Sequence, residues 1–369
     1  MKILLTGANG FIARNLRFFL QESGFADVIC FGREHDDAYL EQALAEADFI
    51  FHLAGVNRPK DVAEFAEGNL GLTEKILAGL QALKRAVPVV FSSSIQADRD
   101  NPYGASKSAA EQRLFDYSRN SGASVAVFRL PNVFGKWSRP FYNSAVATFC
   151  HQISRGEAVT VHDPAAPLQL VYIDDVCKKL VSLLTATSGF ASGYHEVAPV
   201  YETTVGQLAA QIQAFADSRQ SLVSERVGTG LVRALYATYV SFLPCESFAY
   251  GVPAYGDQRG VFVEMLKTPD AGQFSFFTAH PGVTRGGHYH HTKTEKFLVI
   301  RGEARFGFRH IVTDEFFELV TSGAEPKVVE TIPGWSHDIT NIGQDEMIVM
   351  LWANEIFDRQ QPDTIAHKV

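Results

Sequence analysis

The stretch KILLTGANGF, from Lys2 to Phe11, predicts how this chain begins its fold. Its continuous apolar run is typical of a buried parallel strand, and the helical spacing of FIARNLRFFLQES follows directly. Gly7, Gly10 and Ala13 stand three residues apart between the strand and the first turns of that helix. Glycines allow a tight turn and let backbone amides approach a pyrophosphate at the positive end of the helix, and the small Ala13 still permits close packing. The stretch therefore predicts a dinucleotide-binding loop.

The same alternation of apolar runs and helical patterns continues to about residue 215. The runs DVICF, FIFHLA, VPVVFSSS and VAVFRL are continuous, which predicts an α/β fold with a doubly wound, Rossmann-like parallel sheet. Residues 217–230 are polar and aperiodic, and LVRALYATYVSFL predicts a helix stopped by Pro244. Beyond Pro244, dense aromatic and β-branched residues with interspersed glycines predict an all-β sandwich or barrel. We therefore expect two domains, residues 1–243 and 244–369.

The bulk composition of the 369-residue chain limits its partners. A formal net charge of −8 argues against nucleic-acid binding, which needs a basic surface. Four scattered cysteines are typical of reduced thiols in the cytosol. No stretch approaches the ~20 apolar residues of a membrane span, and the first apolar run is too short for a signal peptide. We therefore expect a cytoplasmic protein without nucleic-acid or membrane partners.

A candidate catalytic group follows the predicted strand VPVVFSSS. Asn101 and Pro102 predict a helix start, as N-cap and first helical residue. Tyr103 and Lys107 then share one helical face, so that the lysine ammonium is expected to lower the tyrosine pKa. Ser94, at the end of the strand, is placed to hydrogen-bond a carbonyl group. These residue types predict hydride transfer to or from a carbonyl, with Tyr103 as the proton donor.

The end of the second predicted strand, Phe31-Gly32-Arg33, bears on the choice of dinucleotide. An acidic residue at this place binds the ribose 2′-hydroxyl of NAD, whereas an arginine suits the additional phosphate of NADP. Glu34 and Asp36 lie close by in the sequence, so the signal is mixed. Arg33 favours NADP.

A second candidate site lies in GGHYHHTKTEKF and beyond it. His288 and His290 are two apart and face the same side of a predicted strand, and a turn after His291 must bring Glu295 round to them. His337 comes from another predicted strand, whereas His291 is expected to face away. Three imidazoles and a carboxylate are suitable ligands for zinc, iron, nickel or manganese.

Residues 1 to about 243 resemble the extended short-chain dehydrogenase/reductases, which act largely on nucleotide sugars. Besides the glycine loop and the Ser, Tyr and Lys residues, four segments carry this resemblance: DFIFHLAG at 48–55, GNLGLT with Asn69, RLPNVFG at 129–135, and YIDDV at 172–176. Only a short stretch with the loop IQADRDN separates Ser94 from Tyr103, which departs from the family on the side of the substrate.

This resemblance implies a role for each matching residue. Ser94, Tyr103 and Lys107 are then the catalytic residues, and Asn132 lies near the diphosphate of the substrate. The residues that it implies for the cofactor are Gly7, Gly10, Phe11, Ile12, Arg33, Leu53, Ala54, Gly55 and Lys107.

The last third resembles the metal-binding cupins. His288-x-His290, four residues, Glu295, six residues and Gly302 form the first motif, and Pro333-Gly334 followed by His337 form the second. The resemblance implies a β-barrel whose one divalent metal, zinc by expectation, is held by His288, His290, Glu295 and His337. Cupins include isomerases, dioxygenases and storage proteins, so the fold alone does not give a reaction.

The two parts together resemble, over the full length, a family of bifunctional enzymes of capsular polysaccharide synthesis. The resemblance implies a homodimer that acts on UDP-2-acetamido-2,6-dideoxy-L-arabino-4-hexulose. The cupin epimerises C3, and the reductase domain then uses NADPH to reduce the C4 ketone to the L-talose sugar, toward UDP-N-acetyl-L-fucosamine. Two alternatives stay open on the residues alone. In the first alternative, the cupin is an iron dioxygenase. In the second, one domain is not catalytic and serves as a dinucleotide sensor or a sugar-binding module, or it holds a metal that is purely structural.

Overall fold

The computed structural model describes residues 1–369 except 58, 60, 186–188, 253, 258–259, 264, 267, 269–271 and 356–359. For residues 254–257, 260–263, 273 and 275 it describes the backbone alone. Contacts divide the chain into two compact units, residues 1–144 with 168–202, and residues 145–167 with 203–369. These units describe which residues contact one another and do not define where a domain begins or ends. The domain boundary at residue 243 therefore stays a prediction.

The helices and strands alternate in the first part of the chain, and strands dominate the last part. The α-helices are α1 (Phe11–Glu22), α2 (Asp37–Glu46), α3 (Ala63–Phe65), α4 (Leu72–Ala82), α5 (Pro102–Ser121), α6 (Ala145–Ile153), α7 (Ile173–Thr185), α8 (Val205–Ser221) and α9 (Gly230–Val240). Shorter helical turns are the π-helical Ala66–Gly71 and the 3-10 turns Ile95–Asp98 and Cys245–Ser247.

The first nine strands are β1 (Ile3–Thr6), β2 (Val28–Phe31), β3 (Phe49–His52), β4 (Val89–Ser94), β5 (Val125–Leu130), β6 (Asn132–Phe134), β7 (Pro167–Tyr172), β8 (Gly193–His195) and β9 (Tyr201–Thr204). The remaining strands are β10 (Ala249–Gly251), β11 (Ala254–Asp257), β12 (Gly260–Val263), β13 (Gln273–Ala279), β14 (Thr284–Tyr289), β15 (Glu295–Arg301), β16 (Glu303–His310), β17 (Phe316–Ser322), β18 (Lys327–Glu330), β19 (Trp335–Asn341), β20 (Met347–Ala353) and β21 (Ile365–Ala366).

The first unit is built on a six-stranded parallel sheet with the order β2-β1-β3-β4-β5-β8. Its central strands are mostly apolar because both faces of a parallel sheet are covered by helices. Leu4, Ile50, Val89 and Val125 are fully buried in this core. Parallel pairing brings the carboxyl ends of β1 and β4 to one edge, where the glycine loop and Ser94 emerge. The predicted doubly wound sheet is confirmed.

The second unit contains two five-stranded antiparallel sheets, with the strand orders β10-β18-β15-β20-β13 and β17-β16-β19-β14-β21. The predicted all-β cupin barrel is confirmed. β14 and β19 are neighbours in one sheet, with His288 opposite His337 in register. β15 belongs to the other sheet and begins with Glu295. The metal ligands predicted from the sequence therefore come from both sheets.

Helices α8 and α9 share a buried polar network with the barrel inside the second unit. Arg219 Nη1 lies 3.0 Å from Glu330 Oε2, and the Tyr236 hydroxyl donates to Glu330 Oε1 at 3.1 Å. Lys296 also pairs with Glu330, so this carboxylate is neutralised on several sides. Buried charges persist only when paired and hydrogen-bonded in this way. No helix in the described part of the chain has the length and apolar character needed to span a membrane.

Candidate dinucleotide site and candidate metal centre

The loop between β1 and α1 has a shape that only glycine permits at one position. Gly7 has a φ of +67°, and a Cβ there would lie 2.7 Å from the Cα of Ala54. The Gly10 amide donates to the Gly7 carbonyl at 2.7 Å, and Gly10 is the N-cap of α1. Because no side chain of α1 caps its first amides, these N–H groups remain directed toward the loop. This is the geometry that a pyrophosphate needs.

A cavity of about 490 Å³ adjoins this loop. Six of the residues predicted to hold the cofactor line it, namely Gly7, Gly10, Arg33, Leu53, Ala54 and Gly55. Phe11 and Ile12, the first residues of α1, are not among its lining residues, and neither is Lys107. Lys107 nevertheless lies next to the lining residue Gly55, because a Cβ added to Gly55 would be 3.0 Å from the Nζ of Lys107. The cavity is of a size that suits a small-molecule ligand.

The end of β2 contributes two side chains of opposite charge to the cavity. Arg33 and Glu34 both line it and are both exposed. Asn9 of the glycine loop donates from Nδ2 to the two carboxylate oxygens of Glu34, at 3.0 and 3.2 Å. The sequence alone does not predict this hydrogen bond between Asn9 and Glu34. The preference for NADP therefore stays a prediction carried by Arg33.

Helix α5 begins as the sequence predicts. The Asn101 side chain accepts a hydrogen bond from the Gly104 amide at 2.8 Å, and Pro102 occupies the first turn. This start brings Tyr103 to the end of β4, where its hydroxyl forms a hydrogen bond with Ser94. Lys107, one turn further on, is buried and donates from Nζ to the carbonyl oxygen of Ser92 at 2.9 Å. The three predicted catalytic residues therefore come together.

The electrostatics of this group differ from the expectation at one point. Burial raises the pKa of Tyr103, and the hydrogen bond with Ser94 opposes that rise. The expected lowering of the Tyr103 pKa by Lys107 is wrong for the described residues, because the ammonium donates to a backbone carbonyl instead. Burial lowers the pKa of Lys107 to about 8, although Glu111 opposes this shift. Tyr103 is thus held as a neutral phenol, the form that can donate a proton.

Helix α5 packs directly on the short loop between Ser94 and Tyr103. A Cβ on Gly104 would lie 2.6 Å from the carbonyl oxygen of Arg99, so only glycine fits. Asp98 in this loop accepts from Arg129 Nη1 at 2.5 Å, and Arg129 Nη2 also binds Glu111 at 2.6 Å. From the sequence, Arg129 is recognisable only as part of a family motif. Its position between two carboxylates shows what fixes the loop.

Asn132, the residue predicted to lie near the substrate, begins β6 and is exposed. Its Nδ2 donates to the carbonyl oxygen of Gln169 on β7 at 3.1 Å. Nothing in the described residues tests its predicted role, which stays a prediction.

The four predicted metal ligands form one cluster. The ligand atoms of His288, His290, Glu295 and His337 all lie within 4.8 Å of one another, and the last three residues are buried. His290 Nε2 is 3.2 Å and His337 Nε2 is 3.6 Å from Glu295 Oε2. His291 is not part of this group, as the sequence predicts.

The chemistry of this cluster fits a cation at its centre. The Nδ1 of His290 hydrogen-bonds to the backbone carbonyl oxygen of Asp363, which can only accept, so that nitrogen carries the proton. The Nε2 of neutral His290 is then an acceptor that faces an acceptor oxygen of Glu295. Both ring nitrogens of His337 are buried without a hydrogen-bond partner among the described residues. A divalent cation would satisfy the Nε2 atoms of His290 and His337 together with the carboxylate of Glu295.

The pKa values of the cluster residues also favour the protonation states that bind a metal. Burial, together with the neighbouring His337 and His290, lowers the pKa of His288 to about 3. Burial likewise lowers the pKa of His337. Burial would raise the pKa of Glu295, but its pKa stays well below the usual range, and the ammonium of Lys293, 3.3 Å from Oε1, is among the groups that lower it. Neutral imidazoles and an ionised carboxylate are the forms that bind metals.

Comparison with known proteins relates both parts of the chain to established families. Residues 3–195 match the family model described as the NAD dependent epimerase/dehydratase family, and residues 255–365 match the polysaccharide biosynthesis C-terminal domain. Over 369 residues, the chain is 56% identical to the UDP-2-acetamido-2,6-beta-L-arabino-hexul-4-ose reductase of Pseudomonas aeruginosa, which covers 100% of this chain and 99% of that protein.

Solved structures give the same relation. The capsular polysaccharide assembling protein CapF from Staphylococcus aureus matches with a TM-score of 0.69 and 40% identity over 100% of both chains. The UDP-N-acetylglucosamine 4-epimerase from Bacillus cereus matches 58% of this chain and 82% of its own, with a TM-score of 0.52 and 22% identity. The second match supports the fold of the first part only.

Proposed function

We propose that this chain, which belongs to the NAD dependent epimerase/dehydratase family, is a bifunctional enzyme that epimerises and then reduces a UDP-linked 4-keto sugar. The observation that carries the proposal is the full-length relation to a protein named as a UDP-hexulose reductase. The proposed substrate is UDP-2-acetamido-2,6-dideoxy-L-arabino-4-hexulose, and the proposed product is the L-talose sugar. Zinc and NADPH are the proposed cofactors, and a homodimer is the proposed assembly.

The reduction step follows from the residues at the end of β4. When bound, the nicotinamide of NADPH supplies the hydride to C4. Tyr103, kept protonated by burial, donates its proton to the ketone oxygen, so that the carbonyl becomes an alcohol. Ser94 is hydrogen-bonded to Tyr103 and orients the same oxygen. Solvent then returns a proton to the Tyr103 phenolate, and Lys107, whose Nζ donates to the carbonyl oxygen of Ser92, is the proposed contact with the cofactor.

The epimerisation step depends on the ketone at C4, which acidifies the hydrogen on C3. Loss of that proton and its return from the opposite face inverts C3. His288, His290, Glu295 and His337 would hold the metal. When bound, a divalent cation supplies Lewis acidity that stabilises negative charge on the ketone oxygen. The base that removes the C3 proton would be a water molecule activated by the metal, His291 or a tyrosine of the barrel.

The chemistry of the two steps sets their order. Epimerisation needs the ketone, because an alcohol at C4 does not acidify the C3 hydrogen. Reduction removes the ketone and therefore fixes the configuration at C3. The C-terminal site acts first and the N-terminal site second.

Exchange in deuterated water tests this proposal. Without NADPH, the wild-type protein should place deuterium at C3 of the 4-keto sugar and leave the ketone intact. With NADPH, one equivalent should be oxidised for each ketone reduced, and the product should keep deuterium at C3. Absence of exchange would overturn the epimerase step. Oxygen uptake with the sugar would instead support a cupin dioxygenase, and sugar binding without either reaction would support a binding module.

A further inference from the structure

The end of the chain lies across both strands that carry the histidine ligands. We call Asp363–Val369 the C-terminal strap. Within it, β21 pairs antiparallel with β14, with Ala366 opposite His288. The Ser336 hydroxyl, next to His337 on β19, donates to the carbonyl oxygen of His367 at 2.6 Å. The strap therefore touches the backbone that presents the histidine ligands.

The carboxylate of Asp363 organises the turn between β14 and β15. Three successive backbone amides converge on it, from His291 to Oδ1 at 2.9 Å and from Thr292 and Lys293 to Oδ2 at 2.7 Å each. The Thr292 hydroxyl adds a fourth bond to Oδ2 at 3.1 Å. Successive amides around one anion form a nest, a local structure that depends on the anion being present. This turn carries the chain from His290 to Glu295.

The backbone of the same residue sets the orientation of a ligand. The carbonyl oxygen of Asp363 accepts the hydrogen bond from His290 Nδ1. That bond fixes the tautomer of His290 and leaves the Nε2 lone pair directed at Glu295 Oε2, 3.2 Å away. One residue thus shapes the turn with its side chain and fixes the imidazole with its main chain.

We propose that Asp363 is a positioning residue that preorganises the metal ligands His290 and Glu295 from the opposite end of the barrel sequence. The proposal rests on the proposed metal site. Partners that orient ligands without touching the metal typically contribute 10- to 100-fold in affinity. In Asp363→Asn, one carboxylate oxygen becomes an amide that faces N–H donors, so the nest loses its anion while the size of the side chain is kept.

The experiment measures zinc transfer from the full-length protein to a chromophoric chelator. Asp363→Asn should weaken zinc binding by about 10- to 100-fold. Asp345→Asn removes the same charge from an exposed loop of the same barrel and should leave zinc affinity unchanged. Cobalt supplies a second readout, because the visible spectrum of the cobalt form should shift in Asp363→Asn and stay constant in Asp345→Asn if the ligand geometry depends on the nest.

The outcomes separate this inference from the proposed function. A wild-type protein that does not retain zinc would overturn the metal site itself. A wild-type protein that binds zinc, with a folded Asp363→Asn variant of equal affinity and spectrum, would overturn the positioning role alone. If Asp363→Asn does not fold, Asp363→Glu keeps the charge but displaces it by one methylene. Zinc affinity about threefold or more below wild type then supports the proposal, and unchanged affinity overturns it.

Discussion

The two sites of this chain are assembled in opposite ways. The dinucleotide site and its catalytic residues come from short segments, each formed by one turn between a strand and a helix. Tyr103 and Lys107 share one helix, and Gly7 and Gly10 share one loop. The metal centre instead combines strands of two sheets and is closed by Asp363, which lies about 70 residues beyond the turn that it organises. Local motifs therefore describe the first site well and the second only in part.

The difference also predicts how each site fails. A site built from local turns should lose one function when one side chain changes, because its scaffold forms independently. A site built from distant segments should respond to changes well away from its ligands. The predictions below test this contrast.

The largest expected effect is at Tyr103. In Tyr103→Phe, the proton donor is lost while the ring is kept, so NADPH oxidation with the 4-keto sugar should fall by about 10²- to 10⁴-fold. Deuterium exchange at C3 should continue at the wild-type rate. Steady-state NADPH oxidation and mass spectrometry of the sugar measure the two activities.

Tyr117 provides a matched control on the same helix. Its hydroxyl is bound to the backbone of Val87 in the core, so Tyr117→Phe should lower stability by about 1 kcal/mol and leave the rate of reduction unchanged. If Tyr103→Phe also abolished exchange at C3, the two sites would not be independent.

The second largest effect is expected at the metal centre. His290→Ala removes a ligand and the group that Asp363 orients, so zinc affinity should fall by more than about 100-fold, and C3 exchange should be lost. Reduction of a 4-keto sugar that already has the epimerised C3 should persist. His280→Ala is the control, because the side chain of His280 is 82% exposed and lies outside the cluster.

The sequence predicts the fold and most of the first site because the signals are local. Continuous apolar runs identify the parallel strands, and Asn101-Pro102 places the start of α5 within one residue. Two features could not be predicted from the sequence, because they depend on contacts that are not local. The nest around Asp363 depends on a contact that no spacing encodes, and the raised pKa of Tyr103 depends on burial, which sequence neighbours do not report. Burial raises the pKa of Tyr103, whereas its spacing to Lys107 alone predicts a lowered pKa.

The third prediction compares two glycines with similar backbone conformations. Gly7 and Gly24 both have a positive φ, +67° and +86°. A Cβ on Gly7 would meet the backbone of Ala54 at 2.7 Å, whereas a Cβ on Gly24 would meet nothing within 4 Å. Gly24→Ala should therefore cost only the strain of the conformation, about 1–2 kcal/mol. Gly7→Ala should cost about 1–3 kcal/mol more, because the loop must move away from Ala54.

The movement of the loop should also weaken cofactor binding. The dissociation constant of NADPH should rise by more than about tenfold in Gly7→Ala and stay unchanged in Gly24→Ala, since about 1.4 kcal/mol corresponds to a factor of ten. Thermal unfolding and cofactor fluorescence measure the two effects. Equal behaviour of the two variants would show that the approach of Ala54 to the loop is not part of the binding site.

The smallest expected effect concerns Arg33, where even the local site is ambiguous from sequence. Arg33 and Glu34 line the same cavity, and the carboxylate is held by Asn9 at 3.0 Å. A side chain already bonded to the protein is less available to a ribose hydroxyl, which leaves Arg33 as the group for a 2′-phosphate.

Because Arg33 is exposed, Arg33→Ala should raise the KM for NADPH by only about tenfold, with the KM for NADH unchanged. Glu34→Gln keeps an acceptor for Asn9 and removes the negative charge, so it should not favour NADH. If Arg33→Ala weakened both cofactors equally, or if Glu34→Gln selectively impaired NADH, the preference for NADP would be wrong. The local motif would then fix where the dinucleotide binds but not which one.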